Sequence, residues 1–447
     1  TDRPATGSYR EHGTEPGRAR PQGKTWSVDV RTKAIRIYGI DDIRLDDFEL
    51  PEPGDDEILV RLVSDSICHS TWKALQQGPN HKRVPNNINE HPTIIGHELC
   101  GEILQVGARW KNDYHAGARF TIQPAIGTPE ILDGFAAAGY SFANFGGDAT
   151  YGVIPASLIE ADCLLPLGDG AYYKGSLIEP LACVAAAFRA AHRQVDDSHT
   201  YRSGIREGGT FALLGGCGPM GLAAIEYALH GDYQPSRILV TDRHDSKIEH
   251  ARRVYGEEAK RLGIDLRFVN VKSTPDEAER VFGVNAFDDV IVMVPSSEAF
   301  EQGLRLLAPG GCLNAFAGPT DKLARGDINL YDLHYAEYNI FGSSASTMAD
   351  LRYVADLIER GTLDPAGMIT HVGGIDSAVE ATREQREIGG GKKLIYTHLN
   401  MELTALRDMP SKADRGGVFA ELAEILERSG FVWNEEAEAA ILRYAEE

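Results

Sequence analysis

Three separate segments of this 447-residue chain carry side chains of the kinds that bind a borderline-soft divalent metal. Cys68 lies in ILVRLVSDSICHSTWKALQQG, His97 and Glu98 in HPTIIGHELCGEILQVG, and Glu179 in GSLIEPLACVAAAF. Thiolate, imidazole and carboxylate are all donors that zinc accepts, and three protein ligands leave one position open for water or substrate. None of the segments is near another in sequence, so only a fold can gather them. Each residue also has an ordinary structural alternative. Cys68 suits a buried small apolar position. His97 suits a hydrogen-bonded core position. Glu179, just before Pro180, suits the cap of the Ala-rich run that follows.

A second chemical signal is Gly216-Cys217-Gly218-Pro219-Met220-Gly221, a GxGxxG turn after the apolar run FALLG. It opens a helix at Pro219, where the missing N–H of proline costs nothing. Gly216 permits the tight turn, Gly218 clears space for a pyrophosphate, and Gly221 lets the helix pack on the sheet. The helix N-terminus presents free N–H groups and partial positive charge to the phosphates. Asp242 ends the strand ILVTD roughly 20 residues on, where a carboxylate accepts the ribose hydroxyls. It also repels a 2′-phosphate, which favours NAD(H). The neighbouring Arg243 keeps NADP(H) possible. Met220 and Val294, the latter next to the end of DDVIVMVP, are expected to line the same site. A strand–turn–helix without nucleotide is the plain alternative.

These residues need two kinds of scaffold. From Thr32 to about Leu167 the chain reads as short strands, such as AIRIYG, EILVRLV, CGEILQVG and RFTIQP, between Gly, Pro and Asp clusters. Near Leu181 comes the helical run LACVAAAFRAAH. From Gly209 strands and helices alternate, and FALLGG, RILVTD and DDVIVMVP are continuously apolar, as in a parallel sheet covered on both faces. The fold class is therefore α/β: a β-rich domain plus a doubly wound parallel sheet. ADLRYVADLIERG sets Leu351, Val354, Ala355 and Ile358 on one helical face and stops at Gly361. The boundaries read as a flexible leader at 1–30, the β-rich domain at 31–185 and 346–397, and the nucleotide-binding domain at 186–345. A helical C-terminal extension spans 398–447. In it Val418, Leu422 and Ile425 form one stripe, Ala437, Ile441 and Tyr444 another, with Asn434 as a cap between them. Those stripes must bury on the main body or on a second subunit.

The net charge of −21, from 66 acidic and 45 basic residues, argues against a nucleic-acid partner. No apolar run approaches the roughly 20 residues that cross a bilayer, and no secretory signal is written at the start. The six cysteines, Cys68, Cys100, Cys163, Cys183, Cys217 and Cys312, include no CxxC pair. Neither a disulfide framework nor a four-cysteine zinc lobe is present, and a cytoplasmic setting is the default.

Several motifs occur together in one order. They are a cysteine with a hydroxyl residue two places on, GHE before a CGEILQVG strand, EPLA, and then GxGxxG. In this the chain resembles the zinc-containing medium-chain alcohol and polyol dehydrogenases, from about Lys33 to Thr397. The resemblance implies a GroES-like catalytic domain beside a Rossmann domain, with Cys68, His97 and Glu179 as catalytic zinc ligands. Glutamate at the third position is the polyol-dehydrogenase variant, and Cys183, one helical turn further, ranks below it. Glu98 becomes the carboxylate just outside the ligands, and Ser70 the hydroxyl that hands off the substrate proton. His69 departs from the glycine or arginine common beside the zinc cysteine. The family's structural zinc lobe is missing, because QPAIGTPEILDGFAAAGYSFANFGGDATYGVIP holds no cysteine. One zinc, catalytic and not structural, follows.

Longer stretches, including DSICHSTWKALQQGPNHKRVP, GSLIEPLACV, INLYDLHYA and GGGKKLIYT, are similar to the L-sorbose-1-phosphate reductase branch of that family. This implies hydride transfer between NAD(P)(H) and a ketose or polyol phosphate, with L-sorbose 1-phosphate and D-glucitol 6-phosphate as the pair. A phosphate end needs cations, and His81, Lys82 and Arg83 are expected to hold it; a solvated basic loop is the alternative. Lys392 and Lys393 are expected to reach the cofactor pyrophosphate or the substrate. A homo-dimer or homo-tetramer joined through the nucleotide sheets is implied, with GCLNAFAG as a candidate edge. Two other functions stay open: a dehydrogenase of unphosphorylated polyols or of amino alcohols such as threonine, and a catalytically inactive NAD-binding regulatory protein.

Overall fold

The structure, a computed structural model, describes residues 30–126, 136–194, 200–272 and 276–445. The leader, except Val30, and part of the cysteine-free segment around 127–135 lie outside them. No described helix is long and apolar enough to cross a membrane.

The apolar runs after Gly209 form a six-stranded sheet in which every pairing is parallel. Its order is Asp265–Asn270, Arg237–Asp242, Thr210–Leu214, Phe287–Val292, Leu307–Ala315, Asn339–Gly342, the doubly wound order 3-2-1-4-5-6. Helices cover both faces, so Phe211, Ala212, Leu213 and Leu214 are fully buried. One face packs against Ile178–Arg189, Pro219–His230 and Met348–Glu359, the other against Ser297–Leu306. The order reverses between Thr210–Leu214 and Phe287–Val292, which opens a crevice beyond the strands' carboxyl ends. One expectation is corrected. GCLNAFAG is not an edge, because Leu307–Ala315 has neighbours on both sides and Asn339–Gly342 is the outer strand.

The second sheet joins chain from before and after the nucleotide sheet. Its order is Thr404–Ala405, Ile369–Gly374, Lys392–Tyr396, Ile58–Ser66, Leu99–Val106, Arg119–Ile122, Leu164–Leu167. Tyr151–Ile154 also pairs with Ile58–Ser66. The central strand runs antiparallel to both neighbours, with Ser66 opposite Leu394 and Asp65 opposite Leu99. Its carboxyl end therefore meets the amino ends of the other two. That register brings Cys68, the His97–Glu98 pair and Lys392 to one end of the sheet, although they are far apart in sequence.

The C-terminal extension docks on the main body. Leu422, Leu426, Trp433 and Ile441 share a core with Leu181, Tyr396 and Met401. Asn434 caps Glu435–Ala445 by accepting from the N–H of Ala437 at 2.9 Å. The strand Thr404–Ala405 and the 3-10 helix Leu406–Arg415 precede the two expected helices, Gly417–Arg428 and Glu435–Ala445.

Candidate active site

Cys68 sits at the amino end of the helix His69–Gln77, directly after the central strand. Its Sγ, a ring nitrogen of His97 and a carboxylate oxygen of Glu98 all lie within 4.8 Å of one another. Burial pushes the Cys68 thiol up to about 12, with Glu98 the next cause. Burial likewise pulls His97 down to about 4, so its imidazole is neutral with a lone pair to donate. A buried thiol beside a carboxylate resists ionisation unless a cation joins it. Thiol, imidazole and carboxyl together form a donor set that fits zinc.

Hydroxyls connect this group to its surroundings. Ser70, two residues into the helix, donates to Cys68 Sγ at 3.0 Å and lies 3.1 Å from His97 Nε2. The phenol of Tyr140 donates to Ser70 Oγ at 2.8 Å. The Tyr140 ring stacks on His97 and on His81, with centroids 5.0 and 5.4 Å apart. Thr71 Oγ1 stands 3.4 Å from His97 Nδ1 and orients the ring. Tyr140 lies in the cysteine-free segment, where no sequence feature assigned the tyrosine a role.

Glu98 is fully buried, accepts from Ser66 Oγ, and is ion-paired to Lys392 Nζ, which reaches Oε2 at 2.5 Å. Lys392 therefore lies where the cofactor expectation did not put it. The pleat of Lys392–Tyr396 turns its ammonium toward Glu98 rather than toward a pyrophosphate. Lys393, on the opposite face, donates to the carbonyls of Gly389 and Gly391 at 2.6 and 3.2 Å.

Glu179 is the second residue of Ile178–Arg189 and is buried. Burial raises its carboxyl to about 7, followed by repulsion from Glu98. Its Oε1 accepts from Cys183 Sγ at 3.4 Å. The tight group of donors contains Glu98 in place of Glu179, although Glu179, Cys68 and Tyr140 all act on one another electrostatically.

At the carboxyl end of Thr210–Leu214 the GxGxxG turn runs into Pro219–His230 with proline in the first turn. A Cβ on Gly221 would stand 2.2 Å from the carbonyl oxygen of Gly216, so helix and turn touch backbone to backbone. A Cβ on Gly218 would meet nothing within 4 Å, so that side of the turn is open. The left-handed residue of the turn is Gly215, with φ 72°, rather than Gly216. Val294 covers Gly215, whose Cβ would lie 2.4 Å from Val294 Cγ1. Met220 is partly buried against the core beneath. Asp242 accepts from the N–H groups of Cys217, Arg243 and His244 at 3.2, 2.7 and 3.1 Å, which holds its carboxylate at the strand end beside the turn.

The loop after His69–Gln77 brings His81, Lys82 and Arg83 beside the metal-binding side. Burial pulls His81 down to about 4, and Arg83, Lys82 and Lys73 add to it. The Arg83 guanidinium lies 5.9 Å from the Tyr140 ring centroid, and its charge acts on His97 and Glu179. Lys73 escaped the sequence reading. It lies one turn after Ser70 on the same helix, and its ammonium donates to the Gly318 carbonyl of the nucleotide side at 2.9 Å.

Residues 54–162 match the alcohol dehydrogenase GroES-like domain, and residues 219–360 match the zinc-binding dehydrogenase family. Mannitol-1-phosphate 5-dehydrogenase of Aliivibrio fischeri is 42% identical over 420 residues, covering 93% of this chain and 98% of that protein. This chain belongs to the zinc-containing medium-chain dehydrogenases. The dehydrogenase is also 42% identical to L-sorbose 1-phosphate reductase of Klebsiella pneumoniae over 417 residues, 93% of this chain and 98% of that one. Among solved structures, a zinc-binding dehydrogenase of Sinorhizobium meliloti bound to NADP shares the fold. Its TM-score is 0.67 at 24% identity, over 82% of this chain and 99% of that chain. The chain is thus a zinc-dependent alcohol or polyol dehydrogenase with a GroES-like and a Rossmann part.

Proposed function

We propose that this dehydrogenase moves a hydride between NAD(H) and a ketose or polyol phosphate, with L-sorbose 1-phosphate and D-glucitol 6-phosphate as the expected pair. One observation carries the phosphate: the Arg83 guanidinium, next to Lys82 in the chain, lies 5.9 Å from the ring of Tyr140, which stacks on both His81 and His97. Two relatives act, by their names, on sugar or polyol phosphates.

Cys68, His97 and Glu179 are proposed to hold one catalytic zinc. The ion pair supports this choice over Glu98. Glu98 already has a cation in Lys392, whereas the partner of Glu179 is a thiol, a weak donor. Bound zinc polarises a carbonyl and lowers the pKa of an alcohol. Ser70 Oγ takes the substrate's hydroxyl proton as it releases its own outward to solvent, while the Tyr140 phenol donates to Ser70 Oγ and orients it. Arg83 and Lys82 bind the phosphate end, and Tyr140 forms the wall between phosphate and reacting carbon. Gly216, Gly218, Pro219, Met220, Gly221 and Val294 cradle the dinucleotide. The carboxylate of Asp242, fixed by three backbone donors, favours a free 2′-hydroxyl and hence NAD(H). The outer strand Asn339–Gly342, with Leu330, Tyr331 and Tyr335 exposed before it, supports a homo-dimer joined edge to edge. A cytoplasmic setting accords with the scattered free cysteines.

The test is a panel of phosphorylated and free ketoses and polyols with both cofactors, read by nicotinamide absorbance, in wild type and Arg83→Ala. Loss of a charge-assisted bond is expected to raise KM for the phosphate ester about 10- to 100-fold. KM for a free polyol stays put. Equal turnover of free and phosphorylated substrates, or an unmoved KM in the variant, refutes the phosphate site.

A further inference from the structure

Glu438 lies on the helix Glu435–Ala445 of the C-terminal extension, beyond both family matches, and is 3% exposed. Its carboxylate accepts from the backbone N–H of Tyr172 at 2.5 Å, of Tyr173 at 2.8 Å, and from the phenol of Tyr396 at 2.8 Å. The indole of Trp433 donates to that same phenol oxygen at 3.1 Å. Tyr172 and Tyr173 open the short helix Tyr172–Ser176, whose first N–H groups have no partner within the helix. Leu177 joins it directly to Ile178–Arg189, where Glu179 is the second residue. Ser176 Oγ lies 2.6 Å from Ser64 Oγ and donates to the Ser64 carbonyl at 3.0 Å, on the strand that leads to Cys68. Tyr396 ends the strand that begins with Lys392, the partner of Glu98.

One carboxylate thus bonds both the short helix that runs into Ile178–Arg189 and the strand that carries Lys392. We infer that Glu438 is a positioning residue: it clamps the helix leading into Glu179 against the strand carrying Lys392, so the extension braces the zinc site from behind. This rests on Cys68, His97 and Glu179 being the zinc-binding residues. A glutamine at the position presents an amide N–H to donors and keeps one acceptor oxygen where the carboxylate has two. The clamp loosens while the apolar docking of the extension stays.

The experiment uses full-length enzyme loaded with zinc. Wild type, Glu438→Gln and Leu426→Ala are compared for zinc release to a chelator, kcat and dinucleotide KM. Leu426 is fully buried in the same extension and makes none of these bonds. Glu438→Gln is expected to release zinc about tenfold faster, the lower range for residues that orient metal ligands. Its kcat falls while dinucleotide KM is unchanged. Leu426→Ala loses stability but keeps the wild-type release rate. If Glu438→Gln does not fold, Tyr396→Phe, which removes one of the three donors, carries the same comparison. Wild-type release and kcat in the glutamate variant overturn the clamp. So does equal acceleration in Leu426→Ala, or failure of both clamp variants to fold, since the extension then serves general stability. Wild-type enzyme that holds no zinc overturns the metal reading instead.

Discussion

Replacing Lys392 with Met isolates the energetics of the buried ion pair. Its two side chains are 3% and 0% exposed, so solvent neither screens the pair nor rehydrates the survivor. Methionine nearly matches the lysine stem in volume, so packing is retained and the change is electrical. Glu98 then keeps only the Ser66 hydroxyl, with Asp65, another buried carboxyl, acting on the same region. Removing one partner of a buried pair costs about 3–5 kcal/mol, because the remaining charge has no compensation. For a chain of 447 residues each kcal/mol moves the unfolding midpoint by roughly 1 °C, which predicts a drop of about 3–5 °C. The double variant Lys392→Met, Glu98→Gln removes the stranded charge and should recover most of that loss. Thermal unfolding of chelator-treated enzyme at neutral pH measures both without a metal contribution. A single variant within about 1 kcal/mol of wild type, or a double variant no better than the single, refutes the reasoning.

Two further outcomes concern the nucleotide side. Gly221→Ala forces helix and turn about 1 Å apart to clear the Gly216 carbonyl, and a misplacement of that size lowers turnover by about 100-fold and weakens dinucleotide binding. Calorimetric titration with NAD checks it, with zinc content unchanged, and near-native affinity would falsify the backbone contact. Glu226 is buried on the same helix, where its carboxylate accepts from the Asp364 N–H at 2.9 Å, and burial raises it from 4.5 to about 8. The native state therefore holds this proton where the unfolded chain has released it. Stability from this group is retained below pH 4.5 and declines as pH rises to about 8. Glu226→Gln removes that decline, so the variant gains on wild type by roughly a few kcal/mol between those limits. Unfolding midpoints across the range should diverge, and parallel curves argue against a raised carboxyl.

The chain's local chemistry made the nucleotide side legible. A parallel strand buried on both faces must be continuously apolar, a turn around a pyrophosphate must shed side chains, and a helix can start at proline. FALLGG, Gly218 and Pro219 therefore declare themselves without tertiary information. So did the stripes of the C-terminal helices, because a helix of period 3.6 writes its buried face into the spacing of Leu422 and Ile425. Local pattern could not say where those stripes dock, since an apolar face reads the same whichever surface covers it.

The metal side was different. Cys68, His97 and Glu179 carried the right donor types, and family resemblance named them, but nothing local linked them. Antiparallel register joined Cys68 to His97 and Glu98, by setting the end of Ile58–Ser66 beside the starts of Leu99–Val106 and Lys392–Tyr396, and left Glu179 on a separate helix. The partner of Lys392 was likewise beyond reach, because two adjacent lysines look alike until a pleat sends one to Glu98 and the other to a glycine loop. Residue types determined what chemistry the chain can perform and which segments fold as strands or helices, since both depend on near neighbours. Which carboxylate meets a lysine and which stays without a cation depends on pairings between residues hundreds of positions apart, and only the packed sheets decide those.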